Sequence, residues 1–422
     1  MESPRPASRP ADPRIGRLML LFAIVYFVEG VGQARVGVIA QPLTYFLKES
    51  GWSPVQVTAY LALFTLPWVI KPVYGVVSDF VPLFGYRRKS YLMAANATAA
   101  LAYGVVAAVA APGAMGVWLS LTAYAMAVAS TVCGALLVES GQRFGTSGAF
   151  VNQQWLWFSV ATLASAVLGG ELVQHLPPRT ALRVAALLSA AAPLAVLLVL
   201  PRLVEEDRRA INLPELRRTL RSLLSVFRSR TLYLLGAFLF LYSFSPGFGT
   251  PLYFYMTDDL RFSQSYIGAL SAVASAGWIV GAVFYRRLLE GMRLRSLLNL
   301  SILLGTASTA SFLLLSSEAS AAAVNFGSGV AAMVANVATL TLAAEMCPKR
   351  SEGFVFAALM SIINLAAPAS DTAGAFLYDH VFHERLAPLV VVSAAFTAFA
   401  FVIVPLLRLG DRRQGEEAGA RA

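Results

Sequence analysis

One lysine, Lys71, lies inside an apolar segment of more than twenty residues, three positions after Trp68. If this segment crosses a membrane as a helix, the ammonium group lies in the hydrocarbon layer, at a cost of at least ~2.5 kcal/mol. The spacing places both side chains on one helix face. A cation beside an indole ring can bind a planar anion by charge pairing and by stacking. The pattern favours contact with a ligand or a coupling ion over a lysine whose ammonium group extends to the membrane surface.

A carboxylate in the first apolar segment has a depth comparable to that of Lys71. This is Glu29, with Gln33 one helical turn later on the same face and Arg35 on another face, nearer the outside. We therefore predict an ion pair between Glu29 and Lys71 on neighbouring helices. The pair could belong to a binding site, or it could be a structural contact that never meets the substrate.

The eleventh apolar segment carries Asn364 and Asp371 on one stripe of its helix. A carboxylate at this depth needs a partner or water, and it is a candidate proton carrier or cation partner. The alternative is a structural network in which the carboxylate is fully hydrogen-bonded. The predicted substrate-binding or coupling residues are Glu29, Gln33, Arg35, Trp68, Lys71, Asn364 and Asp371.

Charged residues also cluster where apolar segments end. Asp79 closes the second segment and is followed by Arg87 and Arg88, and Glu139 closes the fourth segment one turn before Arg143. Such acids and bases can hold helix ends together through salt bridges that form and break between conformations. The alternatives are a basic loop that only sets the topology, and ordinary interfacial charges. The predicted cytoplasmic gate consists of Asp79, Arg87, Arg88, Glu139, Arg143 and Glu345, the last of which closes the tenth segment.

The composition defines the elements that must hold these side chains. Of the 422 residues, 57% are hydrophobic and 13% are charged, whereas soluble domains contain about 25% charged residues. Windows of ~20 apolar residues recur along the chain, continuous rather than alternating, which favours membrane helices and excludes a β-barrel. We predict an all-α membrane protein whose twelve spans, numbered 1 to 12, lie at 18–47, 54–80, 89–111, 115–139, 148–175, 180–200, 231–257, 264–286, 295–316, 319–346, 353–379 and 386–409.

The two halves of the chain resemble each other. Gln41-Pro42-Leu43 near the end of span 1 is matched by Thr250-Pro251-Leu252 near the end of span 7, and Trp68 is matched by Trp278. Odd spans match odd spans, so the repeat is parallel, as in the two pseudo-symmetric halves of the major facilitator fold. The predicted organisation is a disordered cytoplasmic tail at 1–17, a six-helix bundle at 18–200, a cytoplasmic linker with an amphipathic helix at 201–230, a second bundle at 231–409 and a cytoplasmic tail at 410–422.

The net charge of +10 comes from cations in short loops, not from a basic domain that could hold a duplex, so no nucleic-acid partner is expected. By the positive-inside rule the most basic loops lie in the cytoplasm, which places both termini there. We expect a multi-pass monomer in the lipid bilayer of the cell (inner) membrane.

The sequence contains no nucleotide-binding loop, metal-ligand cluster or nucleophile elbow. Its two cysteines, Cys133 and Cys347, suggest neither a disulfide framework nor a metal site. We therefore predict no cofactor, no metal and no enzymatic activity.

The segment LPWVIKPVYGVVSDFVPLFGYRRKSY at 66–91 resembles the signature of the folate-biopterin transporter family, within the major facilitator superfamily. Two further segments, YFLKESGWSPVQV at 45–57 and CPKRSEGFVFAALMSIINLAAPASDTAGAFLYD at 347–379, are similar to stretches of the same family in the expected order. The resemblance implies a secondary transporter that moves a small solute, a folate or an anionic pteridine, by alternating access. We expect it to be a symporter coupled to protons or to another ion.

One departure from that family bears on the substrate. Its members commonly carry acids one turn apart in span 4, where this chain has Ser130 and Gly134. If those acids bind the pterin ring or carry the proton, this chain has lost that function. The alternatives are a permease or exporter of the same fold for another solute, such as a drug or a cell-wall fragment, and, from another class, a non-transporting membrane receptor or enzyme.

Overall fold

The computed structural model describes residues 12–204, 206–226, 230–289, 291–346 and 352–407, and in these ranges every regular element is a helix. The helices are α1 (Pro13–Gly32), α2 (Ala40–Glu49), α3 (Pro54–Ala62), α4 (Leu66–Val69), α5 (Lys71–Phe80), α6 (Lys89–Ala108), α7 (Pro112–Phe144), α8 (Ser147–His175), α9 (Pro178–Leu203), α10 (Leu213–Val226), α11 (Arg230–Ser243), α12 (Gly249–Asp258), α13 (Gln264–Phe284), α14 (Leu294–Ser311), α15 (Glu318–Met346), α16 (Glu352–Phe376) and α17 (Leu386–Ile403). The predicted tails at 1–17 and 410–422 lie outside the described residues, except for 12–17, where α1 begins.

These helices form the twelve membrane spans that the sequence predicts. Among the described residues, nine helices are individually long and apolar enough to cross a bilayer. The other three spans are span 2, built from α3, α4 and α5, span 7, built from α11 and α12, and span 11, which is α16. The chain is therefore an all-α membrane protein, and its linker contributes the separate helix α10.

Span 1 is not the single long helix that the sequence predicts. Residues 33–39 separate α1 from α2, and within this turn the N–H of Val38 donates to the carbonyl of Val31 at 3.2 Å. Gly37 makes the turn possible, because a Cβ there would lie 2.1 Å from that carbonyl oxygen. Span 7 has a matching interruption between α11 and α12, so the repeat in the sequence extends to the shape of the helices.

Span 2 is interrupted twice, and its prolines explain where. Pro67 and Pro72 stand in the first turn of α4 and α5, where a backbone N–H has no helical partner to lose. A proline also leaves the carbonyl four residues earlier without its helical donor, and for Pro72 this is the carbonyl of Trp68. Irregular backbone at membrane depth is tolerated where protein or a hydrated cavity surrounds it. The interruptions therefore identify span 2 as an element that lines a cavity.

The two halves of the bundle meet closely where α8 packs against α13. A Cβ on Gly170 would lie 2.9 Å from the carbonyl oxygen of Gln264, and a Cβ on Gly268 would lie 2.6 Å from that of Ala166. Small residues at such a crossing let the two backbones approach each other. The contact fixes how spans 5 and 8 sit on either side of the boundary between the halves.

We predict that Gly170→Leu forces α8 and α13 apart and lowers the unfolding free energy by about 1–3 kcal/mol, because the side chain has no space to enter. The measurement is thermal unfolding of the purified protein. Gly148→Leu is the matched control, because it changes the same helix at a position where nothing lies within 4 Å of the added Cβ. Equal losses in the two variants would show that the close approach is not what stabilises this boundary.

Candidate functional site

The centre of the N-terminal half contains a chain of hydrogen bonds that starts at Lys71. Its ammonium donates to the hydroxyl of Ser130 at 2.9 Å, and that hydroxyl donates to Glu29 Oε1 at 3.0 Å. Gln33 donates to the same carboxylate oxygen at 3.3 Å. The ammonium also lies 4.2 Å from the ring centroid of Trp68. The direct ion pair that the sequence predicts between Glu29 and Lys71 is not made in this structure, because Ser130 stands between the two charges.

Ser130 occupies a position at which the family resemblance leads one to expect an acid. A hydroxyl there can accept from an ammonium and donate to a carboxylate at the same time, which an ionised acid cannot do. Glu29 is 7% exposed, and within the described part of the chain its Oε2 has no hydrogen-bond partner. The site therefore holds one cation and one buried carboxylate whose second oxygen can still accept a proton.

A cavity of about 710 Å³ extends from Lys71 to Asp79 at the end of span 2. This volume lies within the range of roughly 300–1,000 Å³ that is typical of small-molecule sites. Its lining comes from spans 1, 2, 4, 5 and 11 and from α10, and includes Tyr26, Trp68, Lys71, Gly75, Asp79, Ser130, Gly134, Gln154, Thr219, Ser361 and Asn364.

A smaller chamber of about 320 Å³ lies on the other side of Trp68 and is lined by Gln33 and Arg35 among others. Trp68 and Asn364 line both chambers. The side-chain amide of Asn364 donates to the carbonyl of Trp68 at 3.3 Å, which is the carbonyl that Pro72 cannot bond. A hydrogen bond between spans 2 and 11 thus separates the two chambers and satisfies a polar group that the proline leaves free.

The interruption of span 1 presents Arg35 to the C-terminal half. Arg35 forms an ion pair with Asp371 of span 11 and donates to Thr65 Oγ1 at 3.1 Å. Asp371, predicted as a lone intramembrane acid, therefore has a cationic partner from the opposite half. This pair connects the two bundles beside the smaller chamber.

The end of the bundle beyond the smaller chamber, which the sequence predicts to be the outer end, is closed by further contacts between the halves. Lys48 at the end of α2 forms an ion pair with Asp258 at the end of α12. Gln41 donates to Gln264 at 2.9 Å (carbonyl oxygen) and 3.0 Å (Oε1). Sequence reasoning missed these residues as a cluster, although the matched ends of spans 1 and 7 are the signal that could have found them.

At the opposite end, four of the predicted gate residues meet. Arg88, whose side chain is 3% exposed, donates to Asp79 at 2.5 Å and to Glu139 at 2.6 Å. Arg87 lies 3.9 Å from Asp79 and 3.8 Å from Glu139. Burial alone would lower the pKa of Arg88, but hydrogen bonds and charges from Glu139 and Asp79 outweigh it and raise that pKa above its usual value. The cluster joins spans 2 and 4 to the loop before α6.

Of the remaining two predicted gate residues, Arg143 lies outside this cluster. Arg143 lies over the ring of Phe144, with its guanidinium carbon 5.4 Å from the ring centroid, while Glu139 pairs with the arginines of the loop. Glu345 belongs to α15, but its side chain lies outside the described residues. The cluster formed by the four predicted gate residues lies within the N-terminal half.

Sequence reasoning also missed Glu206, which follows α9. Its carboxylate accepts the backbone N–H groups of Arg87, Arg88 and Lys89 at 2.8–3.1 Å. These N–H groups open α6, where a helix has unpaired donors and a partial positive charge. The run of three acids at 205–207, in a linker rich in arginine, was the available signal. The contact fastens the linker to the loop that carries the gate arginines.

The twelve spans and the chambers at their centre have the arrangement of the major facilitator fold. Solved structures agree: the D323A mutant of nucleoside transporter NupG superposes with a TM-score of 0.72 at 12% identity, covering 92% of this chain and 98% of that one. A D-xylose-proton symporter gives 0.69 at 13% identity, covering 92% and 97%. At such identities the likeness shows the fold alone.

The family follows from the sequence as a whole. The model of the BT1 family matches residues 32–414, and this chain belongs to that family. It is 28% identical to a folate-biopterin transporter from Synechocystis sp., over 93% of this chain and 82% of that protein. It is 23% identical to folate transporter 2 from Plasmodium falciparum, over 91% and 87%. The chain is therefore a transporter and not an enzyme.

We predict that Glu206→Ala lowers the unfolding free energy by about 1–3 kcal/mol, because three backbone N–H groups lose a charged acceptor. Thermal unfolding of the purified protein measures the loss. Asp207→Ala removes an exposed carboxylate from the next position and is the control. A Glu206→Ala protein as stable as the control would mean that the linker is not held by this carboxylate.

Proposed function

We propose that this chain carries a folate or a pteridine-like organic anion across the cell membrane by alternating access, driven by protons. The observation that carries the proposal is the Lys71 ammonium, which lies over the Trp68 ring in the central cavity. A planar anion can replace Ser130 as the partner of the ammonium and stack on the indole. The names of the relatives, a folate-biopterin transporter and a folate transporter, support the same substrate class.

The distribution of contacts supports alternating access. Contacts between the halves close the outer end, through Lys48 with Asp258 and Arg35 with Asp371, while the larger cavity extends to Asp79 at the gate end. This is the arrangement of a transporter whose binding site faces the cytoplasm. Opening the outer end requires the two bundles to rock about the site and these pairs to separate.

The orientation rests on the arginine-rich loops. The loop before α6 and the linker lie at the gate end, which the positive-inside rule assigns to the cytoplasm. Both termini then lie inside, in the cell (inner) membrane. We take the protein to act as a monomer, since both halves of the site come from one chain.

The coupling proton is assigned to Glu29. Its Oε2 has no hydrogen-bond partner among the described residues, and its Oε1 reaches Lys71 through Ser130. Protonating Glu29 removes the charge that balances the lysine, which strengthens the attraction of the site for an anion. Asp371 is the weaker candidate for carrying the proton, because it already forms an ion pair with Arg35.

A second candidate function is transport of a different solute by the same fold. Ser130 and Gly134 line the cavity where the family resemblance leads one to expect acids. An uptake panel that compares labelled folate and pteridines with unrelated organic anions separates the two functions.

We predict that Lys71→Met lowers uptake of the substrate by about 10- to 100-fold, the equivalent of one charge-assisted contact. The assay is uptake of labelled folate or pteridine by proteoliposomes that contain the purified protein. Lys89→Met removes the same charge outside the cavity and should retain uptake. Uptake unchanged in Lys71→Met would refute the assignment of the anion site, whereas uptake of another anion in its place would overturn only the substrate class.

We predict that Glu29→Gln separates transport from its driving force. The amide has the same shape as the carboxylate but cannot bind and release a proton. Counterflow of labelled substrate should therefore persist, while accumulation driven by a pH gradient is lost. Asp371→Asn is the comparison, and its accumulation should still respond to the gradient. The reverse result, with accumulation lost in Asp371→Asn and kept in Glu29→Gln, would assign the proton to Asp371.

A further inference from the structure

A second cavity, of about 400 Å³, lies outside the central site at the gate end of the N-terminal half. It is formed where the beginning of α1, the loop before α6, the end of α7 and the segment after α9 come together. Six arginines line it: Arg14, Arg17, Arg87, Arg88, Arg143 and Arg209. The carboxylates in its lining are Glu139, Glu206 and Asp207. Two further carboxylates pair with these arginines from outside the lining, Asp12 with Arg14 and Asp79 with Arg88, which leaves a surplus of one positive charge.

Glu139 and Glu206 already have partners, whereas Arg143 and Arg209 form no ion pair with a described residue. Glu139 forms ion pairs with Arg87 and Arg88, and both oxygens of Glu206 accept hydrogen bonds from backbone N–H groups. Among the described side chains, the Nε atoms of Arg87 and Arg88 are buried without a hydrogen-bond partner. Guanidinium groups without a carboxylate partner in a partly enclosed space attract an anion from solution or from the membrane surface.

Two of the arginines are already held in place. The guanidinium carbons of Arg14 and Arg143 each lie 5.4 Å from the ring centroid of Phe144, and Arg14 also pairs with Asp12 at 2.7 Å. Side chains that are ordered beforehand lose less entropy when they bind a ligand. The cavity is thus a formed site rather than a loose collection of surface charges.

The chemistry of the lining indicates the ligand. Guanidinium groups bind phosphate oxygens in pairs of parallel hydrogen bonds, and arginine is the preferred residue for such sites. A cavity of about 400 Å³ is far larger than a chloride ion needs and admits a phosphate together with the group to which it is attached. By the positive-inside rule this end of the bundle faces the cytoplasmic leaflet, where anionic headgroups are concentrated.

We propose that this cavity binds a phosphate-bearing anion, either the headgroup of an anionic phospholipid or a soluble phosphate compound. The bound phosphate would connect α1, the loop before α6, α7 and the linker. Ligand binding stabilises the state that holds the ligand. Occupancy should therefore stabilise the gate end of the N-terminal half without involving the central cavity.

The test uses the purified full-length protein and measures its thermal unfolding with two kinds of probe. The first is phosphatidylglycerol titrated into mixed micelles, with phosphatidylcholine as the neutral reference. The second is inorganic pyrophosphate, with sodium chloride at equal ionic strength as the reference. We expect a concentration-dependent rise in melting temperature with one of the two. A rise with phosphatidylglycerol identifies a lipid site, and a rise with pyrophosphate identifies a site for a soluble phosphate.

The variant Arg143→Gln/Arg209→Gln should weaken the apparent affinity for that probe by at least about tenfold, because two exposed guanidinium groups leave the lining. The matched control is Arg286→Gln/Arg287→Gln, which removes the same charge from exposed positions that follow α13, outside the cavity. Arg209→Gln alone, which changes one exposed side chain of the linker, tests the site if the double variant does not fold. The proposal is overturned if neither probe raises the melting temperature of the wild type, or if the control variant loses as much affinity as the cavity variant.

Discussion

The ammonium group of half-buried Lys71, which lies inside an apolar span, is the constraint on which the centre of this protein depends. The structure satisfies it with a hydroxyl at 2.9 Å and an indole ring at 4.2 Å rather than with a direct carboxylate contact. A direct buried ion pair would be costly to break, because each charge would be left without its partner. A hydroxyl bridge leaves the lysine charged and paired, yet allows it to accept another partner. The centre thus keeps a cation at membrane depth that remains available to a ligand.

The interrupted helices follow from the same requirement. A cation and a ligand site need polar surroundings, and the irregular backbone of spans 1 and 2 supplies them within the membrane. Pro72 leaves the carbonyl of Trp68 without a helical donor, and the side-chain amide of Asn364 from the other half donates a hydrogen bond to it. One proline therefore creates both a bend and a point of contact between the bundles. The element that holds the lysine is also the element that touches span 11.

The sequence predicted the helices better than it predicted which side chains would pair. Hydrophobic length alone located all twelve spans, because each span needs a continuous apolar segment. It did not show that span 1 is broken. The turn depends on the close approach of Gly37 to the carbonyl of Val31, and hydrophobic length carries no signal of that approach. Glu29 and Lys71 could be singled out because they are charged residues inside apolar segments. The bridging role of Ser130 could not, because Ser130 lies on a third helix. Partners such as Asp371 for Arg35 lie 336 positions apart, and no local pattern connects them.

The two ends of the bundle use charge in different ways, and this difference bears on how the protein can move. At the gate end, Arg88 pairs with Asp79 and Glu139 inside a single half, and Glu206 fastens the linker to the same half. These pairs can stay intact while the halves separate at that end. At the outer end, Lys48 with Asp258 and Arg35 with Asp371 cross between the halves. If the halves rock as proposed, opening the end that Lys48 and Asp258 close must break ion pairs that opening the gate end leaves whole. A ligand that supplies a new partner to the central charges is the natural means of offsetting that cost, since a conformational equilibrium shifts only by the difference in a ligand's affinity for the two states.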